Sequence, residues 1–193
     1  DYGSGKGFQY ESMLLEDKDQ MKYQSLQKYW NVSEIYCYDP GYPSYQKLPR
    51  KQYDAVVLTD VLEHCRQEDI KWILAEIFSL ARKFVFANIA CYKARQILPN
   101  GDNAHCTIRP TAWWNSVLHL VVSSYPEVKY CVLVEFIWTD INGEGSVFQM
   151  LSNCGSFDKV LDFSSVTIVE ADENLVPYVP YSVRVDSKGI LYR

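Results

Sequence analysis

Two apolar patterns divide most of the chain. Residues 55–58 (Ala-Val-Val-Leu) and 83–90 (Lys-Phe-Val-Phe-Ala-Asn-Ile-Ala) are near-continuous apolar runs between polar flanks, the signature of strands buried on both faces. Between them Ile70, Ile73, Leu74, Ile77 and Leu80 recur at spacings of three and four, which predicts a helix with one buried face. A second helix is expected over residues 111–125, anchored by Trp113 and Trp114, with Thr111 available as its cap. Residues 128–139 are then rich in β-formers, Asp140-Ile-Asn-Gly143-Glu-Gly145 is a turn, and residues 146–151 return as a partner. Strand–helix–strand alternation followed by a hairpin implies an α/β fold with right-handed crossovers and a mostly parallel sheet.

The ends are less regular. Residues 11–30 are polar, with Met13, Leu14, Met21, Tyr23, Leu26 and Tyr29 at spacings that predict a helix broken near residues 16–19. A short strand over residues 32–38 should stop at Asp39-Pro40-Gly41. Beyond residue 152, residues 160–163 and 165–170 look strand-like and Pro177 and Pro180 punctuate the rest. The expectation is one principal domain over 1–152 and a β-rich extension over 153–193.

The densest signal is the first seven residues, Asp1-Tyr-Gly3-Ser-Gly5-Lys-Gly7. Alternating glycines suit neither strand nor helix, but they let the backbone turn sharply and bring bare amides against a ligand. A helix starting at Phe8 would point its N-terminus at the same place. The spacing excludes a phosphate-gripping P-loop, because Lys6 is followed by Gly7 and no hydroxyl. It also departs from the dinucleotide fingerprint, where Phe8 replaces the third glycine, so a nicotinamide-dependent oxidoreductase is disfavoured. Asp39, at the tip of the next strand, has the chemistry to accept hydrogen bonds from both hydroxyls of a ribose.

Asp1-x-Gly3-x-Gly5-x-Gly7 resembles motif I of the class I S-adenosylmethionine-dependent methyltransferases. The block Tyr53-Asp-Ala-Val-Val-Leu-Thr-Asp60-Val-Leu-Glu63-His64 closely resembles their motif IV. The resemblance covers residues 1–152. It implies a Rossmann-like, doubly wound sheet whose C-terminal hairpin supplies the last two strands. S-adenosylmethionine is the implied cofactor, with S-adenosylhomocysteine as product. Asp1, Gly3, Gly5, Gly7, Asp39, Thr59 and Asp60 are the implied cofactor-side residues, and Pro40 and Tyr42 are the nearest candidates to cover adenine. In that family a buried strand leads into the motif I acid, so a first strand is expected upstream of Asp1. The helix–strand–helix that usually follows the ribose acid is abbreviated here to residues 41–52. Leu98-Pro-Asn-Gly-Asp102-Asn103-Ala-His105, followed by the tryptophan pair, is similar to loops in uncharacterised members of the superfamily.

That loop is expected on the acceptor side. His105 is the candidate general base, since imidazole takes a proton near neutral pH. Asp102 would orient it, and Arg109 and Asn103 would hold a hydroxyl-rich or anionic acceptor. Glu63 and His64 are read as fixing the start of the following helix rather than as chemistry. The alternative to an enzyme is a non-catalytic module of the same fold, acting in interaction or regulation.

Composition narrows the partners. The 193 residues are 48% hydrophobic and 22% charged, as in a globular chain. A net charge of −5 gives no general attraction to nucleic acid, so a small molecule, a hydroxylated metabolite or sugar, is the expected acceptor. Six cysteines without a C-x-x-C pair fit reduced thiols in a cytoplasmic protein better than disulfides, and no metal site is expected. The most apolar stretch, residues 117–138, is broken by charges and Pro126, so no membrane span is expected.

Overall fold

The computed structural model describes residues 1–11, 15–16, 19–140 and 143–154, together with the short strands at 168–169, 184–185 and 191–192. The chain falls into two compact units, Asp1–Lys51 and Gln52–Arg193. This division lies inside the stretch 1–152 read from sequence as one domain.

The first unit is built from turns. Asp1 and Tyr2 run parallel to Cys37–Asp39, joined by a parallel bridge between Tyr2 and Tyr38. The Tyr2 and Tyr38 rings meet edge to face at 4.9 Å. The strand expected over 32–38 is therefore reduced to a bridge. Among the described residues the broken helix expected over 11–30 is also not formed. Instead α1 (Phe8–Glu11) is a single turn, β1 (Leu15–Glu16) pairs antiparallel with β2 (Lys22–Tyr23), and α2 (Leu26–Tyr29) is another single turn. The physical reason is local. Gln20 takes φ 62°, which reverses the chain between the strands, and the Ser25 hydroxyl accepts the Lys28 amide to start a new helix.

The second unit carries the sheet. Its elements are β3 (Tyr53–Thr59), the 3-10 turn Leu62–His64, α3 (Ile70–Leu80), β4 (Ala81–Ala90), α4 (Thr111–Val122), β5 (Lys129–Asp140), β6 (Gly143–Ser152), β7 (Ile168–Val169), β8 (Arg184–Val185) and β9 (Leu191–Tyr192). Sheet order is β3-β4-β5-β6-β7, while β8 and β9 form a separate antiparallel pair. β3, β4 and β5 are parallel, and β6 returns antiparallel along the outer edge of β5. The fold is thus α/β with a mixed, mostly parallel sheet, and the C-terminal hairpin is present as expected. Of the turn expected over 140–145, Asp140 belongs to β5 and residues 143–145 to β6; residues 141–142, the strand expected over 160–163 and most of 153–193 lie outside the described residues.

Register explains the core. Val56, Val85 and Tyr130 share one row across the sheet, and Leu58, Ala87 and Val132 the next; all are buried. The buried faces of α3 (Ile70, Ile73, Leu74, Ile77, Phe78) and α4 (Trp114, Leu118, Val121) supply the other apolar layer, each full burial worth about 1.5–3 kcal/mol. Phe78 stacks obliquely on Tyr125 and edge-on to Tyr130, and the Tyr125 hydroxyl donates to the Ala75 carbonyl. One polar pair sits in this core: the Thr111 hydroxyl donates to Gln149 Oε1, both residues being 0% exposed. Thr111 therefore spends its hydroxyl on the sheet rather than on capping α4, whose N-terminal flank is Pro110.

Candidate functional site

In the first unit the three glycines of the opening loop all take positive φ: Gly3 at 80°, Gly5 at 56° and Gly7 at 67°. A side chain at Gly7 would also press on the Tyr45 ring at 3.0 Å, whereas the space beside Gly5 is open. The loop folds back on the Tyr38–Asp39 segment. The Gly3 and Ser4 amides donate to the Tyr38 carbonyl at 2.7 and 3.1 Å, and the Gly5 amide to Asp39 Oδ2 at 2.8 Å. Asp39 Oδ1 accepts the Gly41 amide, also at 2.8 Å. Asp1 Oδ2 accepts from the Tyr10 hydroxyl at 2.8 Å and from Gln9 Nε2 at 3.3 Å. The structure therefore brings Asp1, Gly3, Gly5, Gly7 and Asp39 together. Pro40 is exposed and Tyr42 half-buried in the turn that follows, where the Tyr42 and Tyr45 rings lie 5.4 Å apart.

The loop amides matter for ligand class. Gly3, Ser4, Gly5 and Gly7 all donate within the protein, the last to the Ser4 carbonyl. They are not aimed outward as a phosphate cradle would be. Asp39, a carboxylate with about four acceptor positions, keeps room for further donors beyond the two amides it holds.

In the second unit a different group gathers beyond the C-terminal ends of β3 and β4. Thr59 pairs with Asn88 in the sheet, and exposed Asp60 follows with φ 55°, a left-handed conformation that aspartate tolerates better than most residues. Its amide donates to the Asn88 carbonyl at 3.2 Å. Glu63 is 0% exposed. One of its carboxylate oxygens accepts the Ala90 amide at 3.0 Å, and its carbonyl accepts the Cys106 and Thr107 amides. Its Oε2 meets no hydrogen-bond donor. Burial, opposed by the backbone amides of Glu63 itself and of Ala90 and reinforced by the neighbouring Asp60 carboxylate, pushes the Glu63 carboxyl up to about 7. Glu63 thus ties the loop after β4 to the turn after β3, which corrects its reading as a residue at the start of α3; that helix begins at Ile70 with Asp69 before it.

The loop after β4 delivers His105. Asn103 fixes it: Asn103 Oδ1 accepts the Ala94 and His105 amides at 2.9 and 3.0 Å, and Nδ2 donates to the Ala94 carbonyl. His105 Nδ1 lies 2.6 Å from the Tyr92 carbonyl, and His64 Nδ1 lies 2.9 Å from the Ala104 carbonyl. A carbonyl only accepts, so both Nδ1 atoms carry the proton and both Nε2 atoms keep a lone pair. The two rings meet edge to face at 4.7 Å. The Tyr92 hydroxyl donates to Glu135 at 3.3 Å, and burial, then that carboxylate, push it up to about 12.

Two roles read from sequence fall elsewhere. Asp102 Oδ2 accepts from the Asn100 side chain at 2.7 Å, so the group that orients His105 is the Tyr92 carbonyl. Arg109 is exposed and gives its Nε to Gln67 at 2.6 Å, and Asn103 spends its amide on the loop itself. Sequence reasoning missed the convergence of Glu63, His64 and His105. The available signal was that both loops follow adjacent parallel strands and so emerge at the same sheet edge.

All six cysteines are free thiols. Among the described residues no helix is long and apolar enough to cross a membrane. No family model, curated protein or solved structure matches the chain.

Proposed function

We propose that the protein is an S-adenosylmethionine-dependent methyltransferase with a Rossmann-like fold, acting on a small hydroxylated acceptor. The observation that carries this reading is the glycine loop closed on Asp39. Three left-handed glycines and a ribose-type acid are held together, while the loop amides are turned inward and unavailable to a phosphate. S-adenosylmethionine has a ribose to be recognised and no phosphate, so it fits this chemistry better than a nicotinamide dinucleotide does.

The reaction is an in-line displacement. The sulfonium–methyl bond breaks as the acceptor oxygen–methyl bond forms, the electron pair stays on sulfur, and the acceptor proton passes to a base. The protein's main contribution is alignment, with proton removal second. In Gln52–Arg193 the His105 Nε2 lone pair is a suitable proton acceptor.

Calorimetric titration of the full chain with S-adenosylhomocysteine tests the reading. Saturable binding that is lost in Asp39→Ala supports it. No binding to a folded chain leaves a non-catalytic module instead.

A further inference from the structure

The geometry points to a divalent-cation site formed by Glu63, His64 and His105. Each offers one ligand atom, and the three atoms lie within 4.8 Å of one another. Two features of the ligands favour coordination over accidental proximity. Both imidazoles are held at Nδ1 by a backbone carbonyl, Ala104 for His64 and Tyr92 for His105, which fixes tautomer and ring orientation and leaves Nε2 as the ligand. Glu63 is fully buried, yet its Oε2 meets no donor. A buried carboxylate oxygen without a donor is costly, and a cation would remove that cost.

The frame is also built in advance. The Glu63 carbonyl binds the Cys106 and Thr107 amides, and Asn103 binds the His105 amide, so the two loops are locked before any ion arrives. Exposed His64 and half-buried His105 leave an approach from solvent. The neighbouring thiol of Cys106 points to the carbonyls of His64 and Cys65 at 3.3 and 3.1 Å, which places it with the backbone. Two imidazoles and one carboxylate, with positions left for water or substrate, suit Zn2+ or another first-row divalent ion.

The site stands without the methyltransferase reading, since its test needs no activity. If both hold, His105 is a ligand rather than a free base.

The test is Zn2+ titration of the chelator-stripped full chain by calorimetry. Saturable binding is expected, weakened more than about tenfold by His64→Ala and by His105→Ala, and unchanged by His119→Ala on the exposed side of α4. Glu63→Gln keeps an acceptor for Ala90 and should weaken binding similarly; if it misfolds, the two histidine variants carry the result. Co2+ in place of Zn2+ should give ligand-field bands without a thiolate charge-transfer band. The site is overturned by absence of saturable binding, by binding retained in both histidine variants, or by a thiolate band that Cys106→Ser abolishes.

Discussion

Asp39 and Gly5 are joined through a 2.8 Å hydrogen bond from the glycine amide to the carboxylate, so the opening loop is tied to the turn that follows the Tyr38 bridge. The same carboxylate holds Gly41. Asp39→Ala should therefore cost stability as well as ligand affinity, by about 1–3 kcal/mol in urea unfolding. Asp39→Asn keeps one acceptor oxygen and should cost less. Equal stability of the wild type and both variants would show that the tie is not made in solution.

Backbone strain ranks two glycine substitutions. Gly5→Ala meets open space and pays only for the left-handed conformation, about 1–2 kcal/mol. Gly7→Ala pays that and also pushes on Tyr45 and Cys37. Thermal unfolding should show Gly7→Ala as the less stable variant; the reverse order would contradict the packing around Gly7.

The buried Thr111–Gln149 pair gives a double-mutant cycle. Thr111→Val leaves the Gln149 oxygen without its donor, and should destabilise by about 1–3 kcal/mol. Adding Gln149→Leu removes the stranded amide, so the double variant should recover part of the loss. Additive losses would mean that the two side chains do not interact.

Alkaline pH probes Cys91. Burial pushes its thiol from the ordinary 9.0 up to about 12, against the Trp114 N–H that donates to the sulfur. A folded-state pKa above the unfolded one means that this contribution is complete below pH 9 and is lost as pH rises from about 9 to 12. The slope for one such group is about 1.4 kcal/mol per pH unit. Urea midpoints across that range should fall less steeply in Cys91→Ala than in the wild type, whatever the variant's starting stability. Parallel slopes would contradict the burial of this thiol.

The legible part of the chain is where apolar spacing and tertiary burial agree. β3, α3, β4, α4 and the β5–β6 hairpin form where the runs at 55–58 and 83–90 and the rows through Ile70 and Trp114 place them, but the two runs expected to be buried on both faces alternate instead: Val56, Leu58, Val85, Ala87 and Ile89 are buried, whereas Ala55 is exposed and Val57, Phe84 and Phe86 are half-buried. Residues 11–30 misled because Leu26 and Tyr29 have helical spacing within one turn only, and Gln20 reverses the chain before them. The motif put the glycine loop and Asp39 in one place but expected the loop amides to face a ligand, so the Gly5–Asp39 hydrogen bond and the inward-turned amides were not legible. The Glu63–Ala90 hydrogen bond and the His64–His105 contact were not, since a pattern local to Asp60–His64 carries no information about what the next loop lays across it.

The most direct measurement is a crystal structure of the full chain with S-adenosylhomocysteine. The account predicts electron density for the nucleoside against the loop of Gly3, Gly5 and Gly7, with both ribose hydroxyls within hydrogen-bond reach of Asp39. A nucleoside held away from Asp39, or no density at saturating ligand, would contradict it.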